Sequence, residues 1–319
     1  MTHRILLYYK FVRIADPEMI QAEQMSWCEG LGLKGRIILA HEGINGTLSG
    51  SVEGTEEYCR RMQAHPSFQG TEFKVDEYDG HAFKRLSIKV RAEIVTLGIP
   101  ADPLAHTGVE LLPREFRERL DDPEAIVLDI RNDYEYEMGR FRGAVRPPVA
   151  SFKEFPDWLR SEFGDAKDRP LLTYCTGGIR CEKLTAFLLD EGFKQVYQLK
   201  GGIVTYAKDP EIQGELFEGD CFMFDDRLSV PVGAPVSKCE KCQQPSARYA
   251  NCSNVDCNRL YFLCVECETQ KGLACSEECE HAQRQRERNA RLQPGLRSES
   301  HRARQRRHRA KRRLESQTS

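Results

Sequence analysis

Nowhere in its 319 residues does the chain run apolar for the roughly 20 positions that crossing a bilayer requires. The opening MTHRILLYYKFV is short, and Lys10 and Arg13 follow its apolar residues where a secretory leader would carry small residues at a cleavage site. Neither a membrane span nor an export signal is predicted, and the expected location is the cytoplasm. No internal repeat is present. The histidines include no His-x-Asp or His-x-Glu pair of the kind a facial iron triad draws on. A G-x-G-x-x-G run does occur, from Gly30 to Gly35, but it closes a predicted helix and precedes a strand. A dinucleotide loop has the reverse order. The run reads as a helix stop and turn, so no redox cofactor is identifiable from motifs.

Cysteine and patterned charge are plentiful. A hydrophobic fraction of 40% can supply the cores of about two compact domains with additions. The net charge of −2 conceals an asymmetry: residues 281–319 hold 13 Lys/Arg against 3 Asp/Glu, so residues 1–280 carry 34 basic and 46 acidic side chains. A tail of +10 on a body of −12 points to a polyanionic partner, or else to a merely solvated extension. Of the 13 cysteines, eight fall between 239 and 279. In a reducing compartment that is a metal pattern rather than a disulfide framework.

Residues 4–12, 35–40, 71–78 and 85–91 read as strands, with another beginning in or containing GTLSG (46–50). Helices are predicted over 17–31, started by Asp16-Pro17, and on the segment where Thr55, Tyr58, Cys59 and Met62 share a face. Asn45-Gly46 in HEGING is a hairpin signal. The order of elements predicts a split-βαβ, ferredoxin-like α+β domain over 1–97. Two prolines and two glycines make 98–111 a linker. Helices and strands then alternate through 112–218 (113–120, 125–130, 170–174, 181–191, 195–199), which predicts an α/β domain on a parallel sheet. A Cys-rich module over 219–280 and a disordered basic tail over 281–319, with the run RQRRHRAKRR (304–313), complete the chain.

The stretch LLTYCTGGIRCEK (171–183) puts Cys175 at the carboxyl end of a strand and before a helix N-terminus, the sheet edge where open α/β folds bind ligands. Gly177 and Gly178 let several N–H groups converge on one atom, and with Arg180 and the helix dipole they favour a thiolate. Asp129 and Arg131, an acid and a base, either pin a strand end to the loop after it or touch substrate. Cys181, on the first helical turn, either resolves an oxidised or persulfidated Cys175 or faces the core.

The six-residue loop Cys175-Thr-Gly-Gly-Ile-Arg180 resembles the active-site loop of rhodanese-type sulfurtransferases, and LDIRNDYEYEMGRFRGA (128–144) resembles the segment that opens their fold. The resemblance implies a persulfide-bearing Cys175 and an anion-facing Arg180. Related phosphatases use a loop longer by one residue. The wider layout, with HEGINGT (41–47), KVRAEIVTLG (89–98), the rhodanese loop and the trailing cysteines, resembles the tRNA uridine hydroxylase family over residues 1 to about 280. GRFRGAVRPPVASF (139–152) departs from the family pattern at Arg140 and Arg146-Pro147-Pro148. The resemblance implies oxygen-dependent formation of 5-hydroxyuridine at the wobble position of tRNA, with molecular oxygen as co-substrate. Cys175 would either add to C6 of uracil and raise electron density at C5 or act in a persulfide or sulfenate form. His41, Glu42 and Asn45 either reach the base or its phosphates or serve turn geometry.

The cysteine spacing is Cys239-x2-Cys242, Cys252-x4-Cys257, Cys264-x2-Cys267 and Cys275-x3-Cys279. Each short pair can present two sulfurs to one ion, which predicts two structural zinc ions. Joining the first pair to the third and the second to the fourth is one arrangement, and consecutive pairing is another. Such a module presents a surface to RNA or braces the rhodanese domain. Three functions stand against one another: a tRNA-modifying oxygenase, a sulfurtransferase working through a Cys175 persulfide, and a non-catalytic RNA-binding protein.

Overall fold

The structure is a computed structural model, and it describes residues 2–146, 148–149 and 151–292. It divides into two compact units, residues 1–234 and 235–319. No helix among the described residues is long and apolar enough to cross a membrane.

The first unit opens with β1 (His3–Phe11), α1 (Pro17–Gly30), β2 (Lys34–Ala40), β3 (Gly43–Ser51), α2 (Val52–Ala64), β4 (Phe73–Tyr78) and β5 (Leu86–Val90). The five strands lie in the order β4-β1-β3-β2-β5, the split-βαβ arrangement with β5 added parallel to β2. Alternation along each strand gives the sheet two unlike faces. Leu6, Tyr8, Ile37, Leu39, Ile44 and Leu48 form a buried core with residues of α1 and α2. The other face carries cross-strand rows, Leu7–Thr47–Arg36 and Tyr9–Asn45–Ile38. The chain turns at His41-Glu42 rather than at the expected Asn45-Gly46, which lies inside β3. Gly46 is required there by packing: a Cβ would sit 2.3 Å from the buried Tyr8 ring.

Four strands, β6 (Val109–Leu111), β7 (Ile126–Asp129), β9 (Leu171–Tyr174) and β10 (Val196–Leu199), form a parallel sheet in the order β6-β10-β9-β7. Between these strands come α3 (Pro113–Arg119), α4 (Asp133–Met138), β8 (Gly139–Phe141), α5 (Phe155–Phe163) and α6 (Ile179–Asp190), with α7 (Gly202–Lys208) after β10. The stretch read as linker to 111 thus ends in β6, because Val109–Leu111 finds a parallel partner in β10 that local sequence does not announce. Likewise β11 (Phe217–Phe222) pairs with β8 and with β12 (Ser229–Pro231), so residues 219–234 belong to the first unit and not to the Cys-rich module.

The second unit contains the hairpin β13 (Tyr249–Asn251) and β14 (Leu260–Phe262), then α8 (Val265–Lys271) and α9 (Glu277–Leu292). Residues 281–292, expected to be disordered, continue α9, with Arg284 paired to Glu280 and Arg286 to Asp256. The run 304–313 and Pro147 lie outside the described residues.

One buried ion cluster joins the five-stranded sheet to the domain of the four-stranded parallel sheet. Lys183 Nζ on α6, 2% exposed, contacts Glu42 in the β2–β3 turn at 2.7 Å and Glu93 beyond β5 at 2.6 Å. Glu42 also accepts from the Ile94 amide, and Glu93 from those of Leu97 and Gly98. Removing one partner of a buried pair leaves the others uncompensated. Lys183→Ala should therefore lower unfolding stability by about 3–5 kcal/mol, whereas Arg114→Ala, which breaks an exposed pair, should change it by less than about 1 kcal/mol; denaturant melts of the two variants check this.

Candidate active site

Cys175 follows β9 directly and is fully buried. Gly178 precedes α6 with φ +103°, and a Cβ there would meet the Tyr9 hydroxyl at 2.8 Å. The turn aims the Gly178 amide at Cys175 Sγ, 3.1 Å away. Burial alone would keep the sulfur protonated. The Cys181 thiol, the Arg180 guanidinium and the Gly178 and Cys181 amides together outweigh it, and Cys175 falls from an ordinary 9.0 to about 5. Cys181, also buried, is driven the other way by burial and by the adjacent Cys175 sulfur, so it stays a thiol and donates to its neighbour.

The Arg180 guanidinium does not present its donors to Cys175. It forms a bidentate pair with Glu135 on α4 at 2.7 and 2.8 Å and donates to the Thr176 hydroxyl at 3.3 Å. Its charge still acts on the sulfur. Glu135 is fully buried; burial favours its neutral form, but Arg180 and Arg131 prevail and hold it below the usual carboxylate value. Asp129 and Arg131, both unexposed, pair at 2.6 Å, and Arg131 also donates to the Gly139 carbonyl. That joins the end of β7 to β8.

Facing the cysteine loop is the open face of the N-terminal sheet. Leu7, Tyr9, Arg36, Ile38, Asn45 and Thr47 line a cavity of about 360 Å³ together with Cys175, Thr176, Gly177 and Arg180. Phe83, Phe152 and Phe224 are also in its wall. Lys74 donates to the Gly177 carbonyl at 3.0 Å and Tyr9 to Glu182 at 2.6 Å, tying the loop to β4 and the helix after it to β1. Of the three polar residues of HEGING, only Asn45 reaches this cavity, and its amide donates to the Ile94 carbonyl. His41 is bonded to the Ile14 carbonyl, and Glu42 is held by Lys183. Both serve the junction rather than the cavity. Sequence reasoning missed Glu135, Tyr9, Arg36 and the three phenylalanines, although Glu135, four residues past Arg131 in the fold-opening segment, and Phe152, at the end of 139–152, lay within stretches already singled out.

In the second unit the eight cysteines form two sets, Cys239, Cys242, Cys264 and Cys267, and Cys252, Cys257, Cys275 and Cys279, each with its sulfurs within 4.8 Å of one another. The first pair joins the third and the second joins the fourth. Sulfurs of Cys242 and Cys264, and of Cys257 and Cys275, lie 3.7 Å apart. A tetrahedral ion with bonds of about 2.3 Å spaces its sulfurs by about 3.8 Å, so the donor set fits a four-thiolate metal site. Amides of Cys267 and Cys275 point at Cys264 and Cys252 sulfurs, as thiolates require.

A short cysteine loop in a parallel α/β domain, facing a ferredoxin-like sheet and followed by two four-cysteine clusters, defines a rhodanese-type protein with a distinctive amino-terminal partner. Residues 3–94 match the UPF0176 acylphosphatase like domain, 112–209 the rhodanese-like domain and 218–280 the rhodanese C-terminal domain. The chain is 45% identical over 306 residues to the tRNA uridine(34) hydroxylase of Bacillus velezensis, covering 91% of this chain and 95% of that one. Proteins of the same name from Bacillus cytotoxicus and Bacillus licheniformis are each 48% identical over 283 residues, covering 87% of this chain and 87% and 88% of theirs. The chain belongs to the tRNA uridine(34) hydroxylase family.

Because the surroundings of Cys175 favour the anion, its thiolate should be fully formed at neutral pH. The ultraviolet thiolate absorbance of wild type minus Cys175→Ser should titrate near pH 5. A midpoint near 9 would mean that the buried sulfur is an ordinary thiol.

Proposed function

We propose that this chain hydroxylates C5 of uridine 34 of tRNA in the cytoplasm, with Cys175 as nucleophile and molecular oxygen as co-substrate. The observation that carries this reading is the thiolate-favouring Cys175 in the wall of a cavity lined by aromatic side chains, in a chain whose relatives bear that name. Single-stranded bases are recognised by being splayed out and stacked on aromatic rings, and Phe224, 46% exposed, offers such a ring. The thiolate adds to C6, and the electron pair of the C5–C6 bond moves to C5. One oxygen atom of O₂ then bonds C5 and the other leaves as water, with two electrons and two protons from an external reductant. Loss of the C5 proton expels the thiolate and restores the ring. Arg180, fixed by Glu135, supports the anionic sulfur before addition and after release. Asn45 offers an amide at the cavity wall. The two four-cysteine sets hold structural zinc, since closed four-thiolate sites leave no open coordination position.

In cells whose only copy is Cys175→Ser, wobble 5-hydroxyuridine should vanish from tRNA digests read by mass spectrometry, while the purified variant melts as wild type does. Cys181→Ser should lose it in part. Persistence of the nucleoside with Cys175→Ser would refute the reading, and a thiolated acceptor in its place would favour a persulfide carrier. Elemental analysis should return about two zinc ions per chain and about one for Cys252→Ser.

A further inference from the structure

Beside the Cys175 cavity the same sheet carries a second concavity of about 790 Å³. Arg36, Lys84, Arg85, Lys89 and Arg91 line it, with Asp226 as an acidic neighbour. All five cations are exposed, and among the described residues none of them has an acidic partner at ion-pair distance. Elsewhere in the first unit the exposed Arg60, Arg114, Arg142, Arg160 and Lys194 have carboxylate partners, and the exposed Lys153 and Arg169, which have none, do not line this concavity. The cluster stands in a stretch, residues 1–280, with 46 acidic against 34 basic side chains. Five like charges gathered without counter-ions oppose folding, so this cluster is unexplained by stability.

Register joins it to the active site. In the parallel β2–β5 pair, Arg36 stands opposite Ser87 and Ile38 opposite Lys89. The two cross-strand rows that line the Cys175 cavity therefore run on, as Leu7–Thr47–Arg36–Ser87 and Tyr9–Asn45–Ile38–Lys89. Asn45 and Lys89 are two strands apart, about 10 Å at the usual strand spacing. Arg36, Ile38 and Phe83 line both concavities.

We propose that this groove seats the phosphates of the nucleotides adjoining the target uridine, so that the RNA strand lies along β5 while one base turns past Arg36 into the Cys175 cavity. The proposal rests on the tRNA reading above and adds to it the surface that receives the strand. Phosphate contacts of this kind position a nucleic acid without reading its sequence.

The test uses full-length protein and four groove cations outside the Cys175 cavity, Lys84→Ala, Arg85→Ala, Lys89→Ala and Arg91→Ala together. A control removes the same charge from paired sites (Arg60→Ala, Arg114→Ala, Arg160→Ala, Lys194→Ala). Binding of an anticodon stem–loop RNA is titrated at several salt concentrations. The groove variant should flatten the log–log salt slope by about 3 units, at about 0.7 per phosphate contact on a single strand, and raise the KM for tRNA at least about tenfold. Its kcat should stay within about twofold of wild type, since phosphate contacts position the strand without touching the reacting base. The doubles Lys84→Ala/Arg85→Ala and Lys89→Ala/Arg91→Ala should each give about half the slope change. An unchanged slope, or equal flattening by the control, overturns the groove. If the groove variant alone flattens the slope but wild type forms no 5-hydroxyuridine, the hydroxylase reading fails and the RNA groove stands.

Discussion

Lys183 Nζ, almost wholly withdrawn from solvent, sits between the carboxylates of Glu42 and Glu93 and draws two separately folded sheets onto one helix. An ammonium in that position cannot be left unpaired without a large desolvation penalty, so the turn after β2 and the segment after β5 must stay docked against α6. That docking decides where the open face of the N-terminal sheet stands. It brings Leu7, Tyr9, Arg36, Ile38, Asn45 and Thr47 across from the cysteine loop, and the cavity that Cys175 lines consists of both halves. Neither sheet alone supplies the whole wall.

Within that frame a second buried pair sets the chemistry. Glu135 takes both ends of the Arg180 guanidinium and so keeps a cation beside Cys175 without spending its donors on the sulfur. The amides of Gly178 and Cys181 and the Cys181 thiol supply the hydrogen bonds instead. Those groups hold the sulfur toward its anionic form against the burial that would keep it protonated. The Asp129–Arg131 pair does related work one step back, fixing the strand end from which the Glu135 helix departs.

The second unit solves a different problem. Its buried side chains are few, and most of its core consists of the cysteines themselves. Metal–thiolate bonds can replace the apolar area that so short a segment cannot supply. Pairing of first with third and second with fourth follows from the β13–β14 hairpin, which brings Cys239 and Cys242 beside Cys264 and Cys267 at one end.

Much of this was legible from residues in order. Alternation marked the strands, Asp16-Pro17 marked a helix start, and Cys-Thr-Gly-Gly-Ile-Arg at a strand end marked a nucleophile loop, because each signal depends on neighbours within a few positions. The Asn45-Gly46 signal misled because Gly46 answers to the Tyr8 ring from another strand, not to a turn. His41 and Glu42 looked like site residues, and β6 looked like linker, for the same reason: their partners Ile14, Lys183 and Val196–Leu199 are remote in sequence. The sequence by itself determined most of the element types, the position of Cys175 on a strand-end loop and the four cysteine pairs, all properties of local spacing. Only the tertiary structure decided that Glu135 holds Arg180, which residues wall the cavity, how the four cysteine pairs combine, and that cations of β2, β5 and the segments flanking β5 gather beside that cavity. Those depend on which distant segments pack together, and packing is a property of the whole chain.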